Sequence, residues 1–429
     1  MNLVVQKTDR LAGEISIPGS KSHTIRGVVM ASLAEGGSCL SDPLDSADTL
    51  AAFNAAQALG ARIDASRSGE WIITGFGRYP QPPAGPIDML NSGTSTNLFT
   101  SIAALGDFEV IIDGDSSIRR RPVQPLLDAL RQLGAEAESI NGNGCPPLRI
   151  RGPMQGGEVE VECRSSQYVS SLLISCPLIP AGTTTIRVYH LCEVPYIQMT
   201  LDWMHSLGIQ YEQEGYEYFK IPGGQHYHPF TRKIPADWSS ATFPLSAAAM
   251  IRGSDCLLKG LDINDSQADR KVLEYLQEMG ARIEIIDRGI RVIGQGLHGA
   301  ELDLNNTPDA LPAIAAAACV AEGVTVIRNV AHARIKETDR IRVMAEELGR
   351  MGAQVQETPD GLIIERSRLH GARVEGHHDH RVVMALSLAG MVAEGTTLIT
   401  TAEAVNVTFP GYVDLMQGLS AGMNIEDNT

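Results

Sequence analysis

Hydrophobic and polar residues along this chain predict two kinds of helix that alternate with short strands. One kind is apolar around its whole circumference, as in "NLFTSIAALG", "VSSLLISCPL", "FPLSAAAMI" and "AIAAAACVA". Helices without a polar face are buried on all sides. The other kind is amphipathic, ends in Leu or Met followed by Gly, and leads into an alternating strand, as in "YLQEMGARIEI". The pattern predicts a unit of strand, buried helix, strand, amphipathic helix and strand.

The unit repeats along the whole sequence. Glycines follow the amphipathic helices at steps of 74, 74, 72, 72 and 70 residues, at Gly60, Gly134, Gly208, Gly280, Gly352 and Gly422. A second series follows the buried helices at steps of 70, 76, 71, 70 and 72, at Gly36, Gly106, Gly182, Gly253, Gly323 and Gly395. Both markers indicate six copies of one unit. We expect each glycine to take the left-handed C′ position that ends a helix.

The length of the chain, 429 residues, exceeds what one ordinary core holds, so two domains of three units each are expected. The best candidates for crossings between them are "SIPGS" (16–20) and "HPFTRKIPADW" (228–238), which proline interrupts. We therefore predict one domain of residues 20–232 with repeats 1–3. The second domain takes residues 1–19 and 233–429 with repeats 4–6.

Composition excludes several classes of protein. A net charge of -16 with 5% aromatic residues argues against a nucleic-acid partner. The seven cysteines contain no CxxC pair, which indicates reduced thiols rather than disulfides or a zinc site. "MNLVVQKTDRLAG" carries charges where a signal peptide needs apolar residues, and the run 310–321 is too short to span a bilayer. We expect a soluble, cytoplasmic monomer without a membrane partner.

Each buried helix begins at a polar cluster. The clusters are residues 21–22, 91–94, 165–167, 237–240, 308–309 and 379–381. N-capping explains their Ser, Thr, Asn and Asp residues. Capping does not require Lys21, Arg26, Gln167 or Arg381. If the buried helices point at the domain interface, their N-termini converge on one cleft, where free N–H groups and positive dipole ends attract anions. An acidic protein could thereby bind a multiply anionic ligand.

Nine motifs, in this order, resemble those of the 5-enolpyruvylshikimate-3-phosphate synthases, which are enolpyruvyl transferases. They are "PGSKSHTIR", "NSGTS", "RRRP", "SSQYVSSLL", "VPYIQMTL", "DWSSA", "TPDALPAIAAAA", "RIKETDRI" and "DHRVVMALSLAG". The resemblance implies an α/β (α+β) class, inverse α/β barrel-like fold of two domains, with six βαβαββ repeats, three per domain, and an active site in the inter-domain cleft.

The same resemblance implies the activity. A transferase of the shikimate pathway would move the carboxyvinyl group of phosphoenolpyruvate to the 5-hydroxyl of shikimate 3-phosphate and release phosphate, toward chorismate and the aromatic amino acids. No metal and no cofactor is expected. Two readings stay open at this point: a related transferase acting on another acceptor, such as UDP-N-acetylglucosamine, and a non-catalytic binder of phosphorylated metabolites. The related enzyme typically has a loop Cys before its Arg-Pro, where "GDSSIRRRP" has Ser116 and no Cys.

The motifs that carry the resemblance also imply roles for single residues. The carboxylate and phosphate of phosphoenolpyruvate need several cations, preferably arginines for bidentate contact. The residues that match the phosphoenolpyruvate site are Lys21, Gly93, Arg121, Gln167, Arg340 and Arg381. Those that match the shikimate 3-phosphate site are Ser22, Arg26, Ser165, Ser166, Gln167, Tyr196, Asp309 and Lys336.

The resemblance further assigns the proton transfers. Asp309 is the base toward the 5-hydroxyl, and Glu337, with Lys21, is the proton donor to the methylene carbon. A simpler reading of Asp309 is a first-turn acid that the helix dipole favours. Retention of Asp309 and Glu337 beside the donor cations favours an enzyme over a non-catalytic binder.

Three positions depart from the family pattern. Asn97 stands where Arg is usual, Glu193 where Ser is usual, and Val407 where Lys is usual. Glu193 would lie near the acceptor phosphate, which is electrostatically unfavourable unless Arg164 or another cation offsets it. Val407 removes a positive charge from the donor side.

The segment "GHHDHR" (376–381) raises a metal site as a hypothesis, because three histidines flank an aspartate. Adjacent His377 and His378 would point in different directions in a helix or a strand, and no second cluster supplies further ligands. We therefore expect no metal here.

Overall fold

The computed structural model describes residues 1–427 and divides into two compact units. We call Gly19–Ile234 the continuous unit. The discontinuous unit combines Met1–Pro18 with the chain from Pro235 onward. The predicted boundaries at 20 and 233 lie one and two residues from these. The inter-domain cleft stays a prediction.

The N-terminal segment of the discontinuous unit carries two strands, β1 (Asn2–Gln6) and β2 (Ala12–Ser16). The continuous unit follows. Its helices are α1 (Lys21–Ser32), α2 (Ala47–Ala58), α3 (Gly93–Ala103), α4 (Gln124–Gln132), α5 (Ser166–Ser175) and α6 (Val194–Ser206), with 3₁₀ turns at Ile118–Arg120 and Cys176–Leu178. Its strands are β3 (Gly37–Ser41), β4 (Arg62–Asp64), β5 (Glu70–Thr74), β6 (Ile87–Asp88), β7 (Val110–Asp113), β8 (Glu136–Ser139), β9 (Leu148–Arg151), β10 (Glu158–Glu162), β11 (Thr183–Tyr189), β12 (Glu212–Glu214), β13 (Tyr218–Pro222) and β14 (Thr231–Lys233).

The rest of the discontinuous unit repeats this plan. Its helices are α7 (Trp238–Met250), α8 (Val272–Glu278), α9 (Leu311–Ala318), α10 (Arg340–Arg350), α11 (His380–Val392) and α12 (Tyr412–Gly418), with 3₁₀ turns at Ala268–Lys271, Pro308–Ala310, Ala331–Ile335 and Ala402–Val407. Its further strands are β15 (Asp255–Lys259), β16 (Arg282–Ile286), β17 (Gly289–Ile293), β18 (Glu301–Asp303), β19 (Val324–Arg328), β20 (Gln354–Thr358), β21 (Gly361–Glu365), β22 (Arg373–Glu375), β23 (Thr396–Thr400) and β24 (Met423–Glu426).

Within residues 1–427, the strands form six four-stranded sheets of one topology. The continuous unit has the orders β14-β3-β5-β4, β6-β7-β9-β8 and β10-β11-β13-β12, and the discontinuous unit has β2-β15-β17-β16, β18-β19-β21-β20 and β22-β23-β1-β24. In the second sheet, β6 and β7 are parallel, whereas β7 pairs with β9 and β9 with β8 in antiparallel register. A parallel pair needs a crossover connection, which the buried helix α3 supplies here. The predicted six βαβαββ repeats are confirmed.

The first helix of each repeat is buried, and in α3 it is buried although it contains many hydroxyl groups. Helix α3 is buried from Thr94 to Ala103. The hydroxyl of Thr100 donates to the carbonyl of Thr96 one turn back at 2.7 Å, and that of Ser101 donates to the carbonyl of Ser171 on α5 at 2.8 Å. Because buried hydroxyl groups are costly only when they lack partners, these bonds let small polar residues line a close helix contact.

The glycines that follow the helices mostly behave as predicted. Ten of the twelve have positive φ among the described residues, from 79° at Gly208 to 132° at Gly36. The prediction is wrong at Gly106 and Gly422. In the last repeat Ser420 takes the left-handed conformation instead, with φ of 71°. In this last repeat, the left-handed residue that ends the helix therefore lies two positions before the predicted glycine.

Within the described part of the chain, no helix is both long and apolar enough to cross a membrane.

Candidate active site

Helix α1 begins at the first of the predicted cations. The Ser20 hydroxyl accepts a hydrogen bond from the His23 N–H at 3.5 Å and caps the helix. Lys21, the first helical residue, forms a salt bridge of 3.0 Å from its Nζ to Oδ2 of the buried Asp48. Asp48 was not predicted from the sequence. It follows Ser46 in a capping box, a pattern that indicates the start of α2 and not a partner for Lys21.

Arg26 lies one turn further along α1 and is 1% exposed. Its Nε donates to the Thr200 hydroxyl at 2.9 Å, its Nη1 to the Ser22 carbonyl at 3.2 Å, and its Nη2 to the Tyr196 carbonyl at 3.0 Å. These acceptors are uncharged, and burial lowers the pKa of Arg26 to about 10. Arg26 thereby brings the predicted residues Ser22 and Tyr196 together around a buried positive charge.

Helices α3 and α5 position Gly93 and Gln167 beside Arg121. The Gln167 side chain donates from Nε2 to the Thr94 hydroxyl at 3.0 Å and accepts from Asn97 Nδ2 at 2.7 Å. A Cβ atom at Gly93 would lie 2.9 Å from Arg121 Nη1 and 3.8 Å from Gln167 Oε1. The glycine therefore leaves the space that the Arg121 guanidinium uses. Asn97, where the family usually has Arg, instead orients Gln167.

Arg121 follows the 3₁₀ turn Ile118–Arg120 and donates to two neighbouring side chains. Its Nη2 donates to Asn91 Oδ1 at 2.8 Å and to the Ser117 hydroxyl at 3.1 Å. The neighbouring Arg119 is half exposed and forms a 2.6 Å ion pair with Asp113. The charge of Arg119 is thus offset by a carboxylate, while the contacts of Arg121 described above are to uncharged oxygens.

The start of α5 carries Ser165 and Ser166, and a carboxylate lies against them. The Ser165 hydroxyl caps the helix by accepting from the Gln167 N–H at 3.4 Å. Oε2 of Glu193 accepts from the Ser166 hydroxyl at 2.8 Å and from the Ser166 N–H at 3.2 Å. Arg164, which could have offset this charge, forms its ion pair with Glu162 at 2.9 Å.

In the discontinuous unit, the remaining predicted residues gather around Asp379. This buried carboxylate caps α11, because its Oδ1 accepts from the Arg381 N–H at 2.9 Å. It also accepts from Arg340 Nε at 2.8 Å and from the Thr338 hydroxyl at 3.2 Å. The sequence indicates its capping role. Its bond to Arg340 joins residues 39 positions apart.

Arg340 is 0% exposed and joins several acids. Besides Asp379, its Nη1 binds Asp309 Oδ1 and its Nη2 binds Glu337 Oε2, each at 2.6 Å. Burial acts to lower the pKa of Arg340, but the charges of Asp379, Glu337 and Asp309 outweigh it and raise that pKa well above its usual range. The guanidinium therefore holds the two predicted proton-transfer acids side by side.

Asp309 bridges two arginines. It lies in the 3₁₀ turn Pro308–Ala310, ahead of α9, and its Oδ2 forms a 2.9 Å ion pair with Nη2 of the buried Arg381. Asp309 thus forms ion pairs with Arg340 and Arg381, which the simpler interpretation as a first-turn acid that the helix dipole favours does not include. A further acid, Asp269, is buried in the same unit and accepts from the Ser239 hydroxyl. Burial first, and then the charge of Asp309, raise the pKa of Asp269 to about 7. No sequence signal singled it out.

The other predicted positions lie in loops of the same unit. Lys336 ends the turn Ala331–Ile335, directly before Glu337, and is half-buried. Val407 ends the turn Ala402–Val407 and is also half-buried. In "GHHDHR", His377 Nε2 lies 3.0 Å from Oε1 of the buried Glu347. Among the residues described, no group of three or more His, Cys, Asp or Glu could hold a metal ion.

Comparisons with known proteins agree along the whole chain. The sequence model of the family EPSP synthase (3-phosphoshikimate 1-carboxyvinyltransferase) matches residues 5–416. A 3-phosphoshikimate 1-carboxyvinyltransferase of Acetivibrio thermocellus is 48% identical over 424 residues, 99% of this chain and 99% of that protein. One of Ruminiclostridium cellulolyticum is 46% identical over 426 residues, 99% and 100% of the two chains.

Solved structures extend the similarity to three dimensions. An EPSP synthase of Acinetobacter baumannii superposes with a TM-score of 0.84 at 28% sequence identity, covering 99% of this chain and 100% of that one.

Proposed function

Because this chain belongs to the family of EPSP synthases, the 3-phosphoshikimate 1-carboxyvinyltransferases, we propose that the residues assembled above bind and convert its substrates. The protein is a transferase of aromatic amino-acid biosynthesis. It moves the enolpyruvyl group of phosphoenolpyruvate to the 5-hydroxyl of shikimate 3-phosphate and releases phosphate. The alternatives left open by the sequence, a different acceptor or a non-catalytic homologue, find no support in these relatives.

The buried Arg26 is the observation that carries the acceptor site. A buried cation is expensive to desolvate, and its surroundings recover little of that cost while its acceptors are neutral oxygens. An anionic group bound at Arg26 gains a charge-assisted bond that no carboxylate within residues 1–427 provides. We assign shikimate 3-phosphate to Arg26 together with Ser22, Ser165, Ser166, Gln167, Tyr196, Asp309 and Lys336.

The donor site combines cations with a glycine. Lys21, Arg121, Arg340 and Arg381 supply positive charge for the carboxylate and phosphate of phosphoenolpyruvate, and Gln167 adds polar groups. Gly93 keeps the space beside the Arg121 guanidinium open. Three carboxylates accept from Nε, Nη1 and Nη2 of Arg340 here, so the donor competes with them for the guanidinium. Protonation of Glu337 would therefore free Arg340 for the donor.

The two acids held by Arg340 carry the proton transfers. Asp309 takes the proton of the 5-hydroxyl as its oxygen bonds to C2 of phosphoenolpyruvate, while Glu337, with Lys21, gives a proton to the methylene carbon. In the second step Glu337 takes a proton back from that methyl group, the double bond reforms, and the bond from C2 to the phosphate oxygen breaks, while the proton held by Asp309 passes to the departing phosphate. Phosphate leaves with its bonding electrons, so atoms and charge balance. Positioned acids and bases typically contribute 10² to 10⁴-fold to such steps.

A coupled assay tests the proposal. Purified protein is mixed with phosphoenolpyruvate and shikimate 3-phosphate, and released phosphate and the enolpyruvyl product are measured together. We expect both in equal amounts, and neither when one substrate is omitted. Phosphate release that does not depend on shikimate 3-phosphate would contradict the proposed reaction.

The monomeric state, the cytoplasmic location and the absence of a nucleic-acid or membrane partner stay predictions of the sequence. Light scattering during size-exclusion chromatography tests the monomeric state, with a mass of 46.1 kDa expected for one chain.

A further inference from the structure

Glu193 occupies donors that an anionic ligand would need. Its Oε2 atom receives both the hydroxyl and the backbone N–H of Ser166, at 2.8 and 3.2 Å, at the start of the ten-residue helix α5. The side chain is 2% exposed. A carboxylate in this position has the same charge sign and the same kind of acceptor oxygens as a phosphate group.

The backbone at Glu193 is held in an unfavourable conformation to bring the carboxylate there. Its φ of 51° lies in the left-handed region, which is uncommon for residues other than glycine, asparagine and aspartate. Such conformations persist when the surroundings fix them, and they concentrate at functional sites. Here the residue precedes α6, which is the helix that carries Tyr196 and Thr200 to Arg26. Glu193 thus connects the start of α5 with the helix that contacts the buried arginine.

The proposed function, on which this inference rests, assigns Ser166 to shikimate 3-phosphate. A phosphate oxygen and the Glu193 carboxylate cannot both accept the same hydroxyl and N–H groups. Two like charges in a buried place also repel strongly, because the local dielectric is low. Arg164 forms an ion pair with Glu162.

We propose that Glu193 occupies the position of the acceptor's phosphate in the unliganded protein, and that shikimate 3-phosphate binds by displacing this carboxylate from Ser166. Glu193 is then a specificity-determining residue. It weakens binding of every acceptor that places an anion at Ser166, and it leaves acceptors without that anion unaffected.

Two variants and a matched control test the displacement. Glu193→Ser removes the carboxylate, and Glu193→Gln keeps its size and its ability to accept from Ser166 while removing the charge. Glu162→Gln is the control, because this neighbouring carboxylate pairs with Arg164 and has no bond to Ser166. For each protein, kcat and KM are measured for shikimate 3-phosphate, and the dissociation constant of unphosphorylated shikimate is measured by calorimetry.

We expect KM for shikimate 3-phosphate to fall about ten- to a hundredfold in Glu193→Ser, the range typical of one hydrogen bond to a charged group, and to fall less in Glu193→Gln, whose amide oxygen still accepts from Ser166. The kcat value, the KM for phosphoenolpyruvate and shikimate binding should stay within about twofold. The control should match the parent protein throughout.

Other outcomes overturn the inference while leaving the enzyme's function intact. An unchanged or higher KM for shikimate 3-phosphate in an active Glu193→Ser protein would mean that the carboxylate does not compete with the phosphate. Equal tightening of shikimate and shikimate 3-phosphate would mean a general loosening of the site. If the parent protein forms no product from both substrates, the proposed function itself fails, which is a separate result.

Discussion

Two buried arginines, one in each unit, have opposite surroundings. Arg340 in the discontinuous unit binds the carboxylates of Asp309, Glu337 and Asp379. Arg26 in the continuous unit binds a hydroxyl and two backbone carbonyls. The pKa of Arg340 is consequently raised well above its usual range by its carboxylates. The pKa of Arg26 is lowered to about 10 by burial.

The difference teaches what each buried charge is for. The charge of Arg340 is offset within the protein, so its main effect is to fix the positions of Asp309, Glu337 and Asp379. The acceptors around Arg26 are uncharged, which supports its proposed role in binding an anionic acceptor. Removing one partner of a buried ion pair destabilises the fold because the other charge is left uncompensated, whereas a buried cation beside neutral oxygens stabilises the fold little until an anion arrives.

The largest effect is expected from the acids that Arg340 holds. Asp309→Asn or Glu337→Gln keeps the shape of each side chain but removes its ability to exchange a proton, so kcat should fall 10² to 10⁴-fold. Binding of either substrate, measured by calorimetry, should change far less. Asp287→Asn, at an exposed acid between β16 and β17, serves as the control. Near-normal turnover in either variant would remove that acid from the mechanism.

Replacing Arg340 itself should act on stability. Arg340→Met leaves three buried or half-buried carboxylates without their common partner, which typically costs about 3 to 5 kcal/mol of the free energy of unfolding. Arg342→Met, on the same helix, removes an exposed ion pair with Glu346 and should cost less than about 1 kcal/mol. Urea unfolding of both variants measures the difference. Equal losses would show that the buried network contributes no more than a surface pair.

Arg26→Met should produce the reverse result. The free energy of unfolding should stay within about 1 kcal/mol of the parent, because a desolvated charge is lost along with its hydrogen bonds. KM for shikimate 3-phosphate should rise about ten- to a hundredfold, the value of a charge-assisted bond. If Arg26→Met unfolds readily but binds the acceptor normally, Arg26 contributes to stability as Arg340 does. The contrast between the two arginines would then be wrong.

The smallest effect concerns an ion pair outside this comparison, between His377 and Glu347. The hydrogen bond that His377 donates to Glu347 raises the pKa of His377 above 6.5. Burial acts to raise the pKa of Glu347, but its bonds to His377 and the Glu375 N–H, with the charge of Arg350, hold it below 4.5. The histidine's contribution is complete below pH 6.5 and is lost as pH rises through its folded pKa. The glutamate's contribution is complete above pH 4.5 and is lost on further acidification.

His377→Gln should therefore lower the free energy of unfolding most near pH 5.5, by less than about 1 kcal/mol, and least near pH 9. His378→Gln, at the exposed neighbour, is the control variant. Urea unfolding at the two pH values decides the question. If the free energies of unfolding of the parent and His377→Gln differ by the same amount at both pH values, the imidazolium charge does not contribute to stability.

The sequence predicts regular features well and partners poorly. The repeat period, the buried helices and caps such as Ser165 and Asp379 follow from local sequence patterns, and the structure has them. The ion pairs Lys21–Asp48, Arg340–Asp379 and His377–Glu347 join residues 27, 39 and 30 positions apart, and packing alone selects them. The sequence also suggested Arg164 as a possible partner for Glu193. Its actual partner Glu162 is two positions away on β10.

The strand order of the last sheet has a consequence for synthesis on the ribosome. The first strand of the chain, β1, lies between β23 and β24, so its partners are made last. The continuous unit contains all its own strands and can fold as soon as Ile234 leaves the exit tunnel. Strand β1 therefore has no partner strands until translation is nearly complete. A nascent chain stopped near residue 300 should hold a folded continuous unit and an N-terminus that proteases still cut.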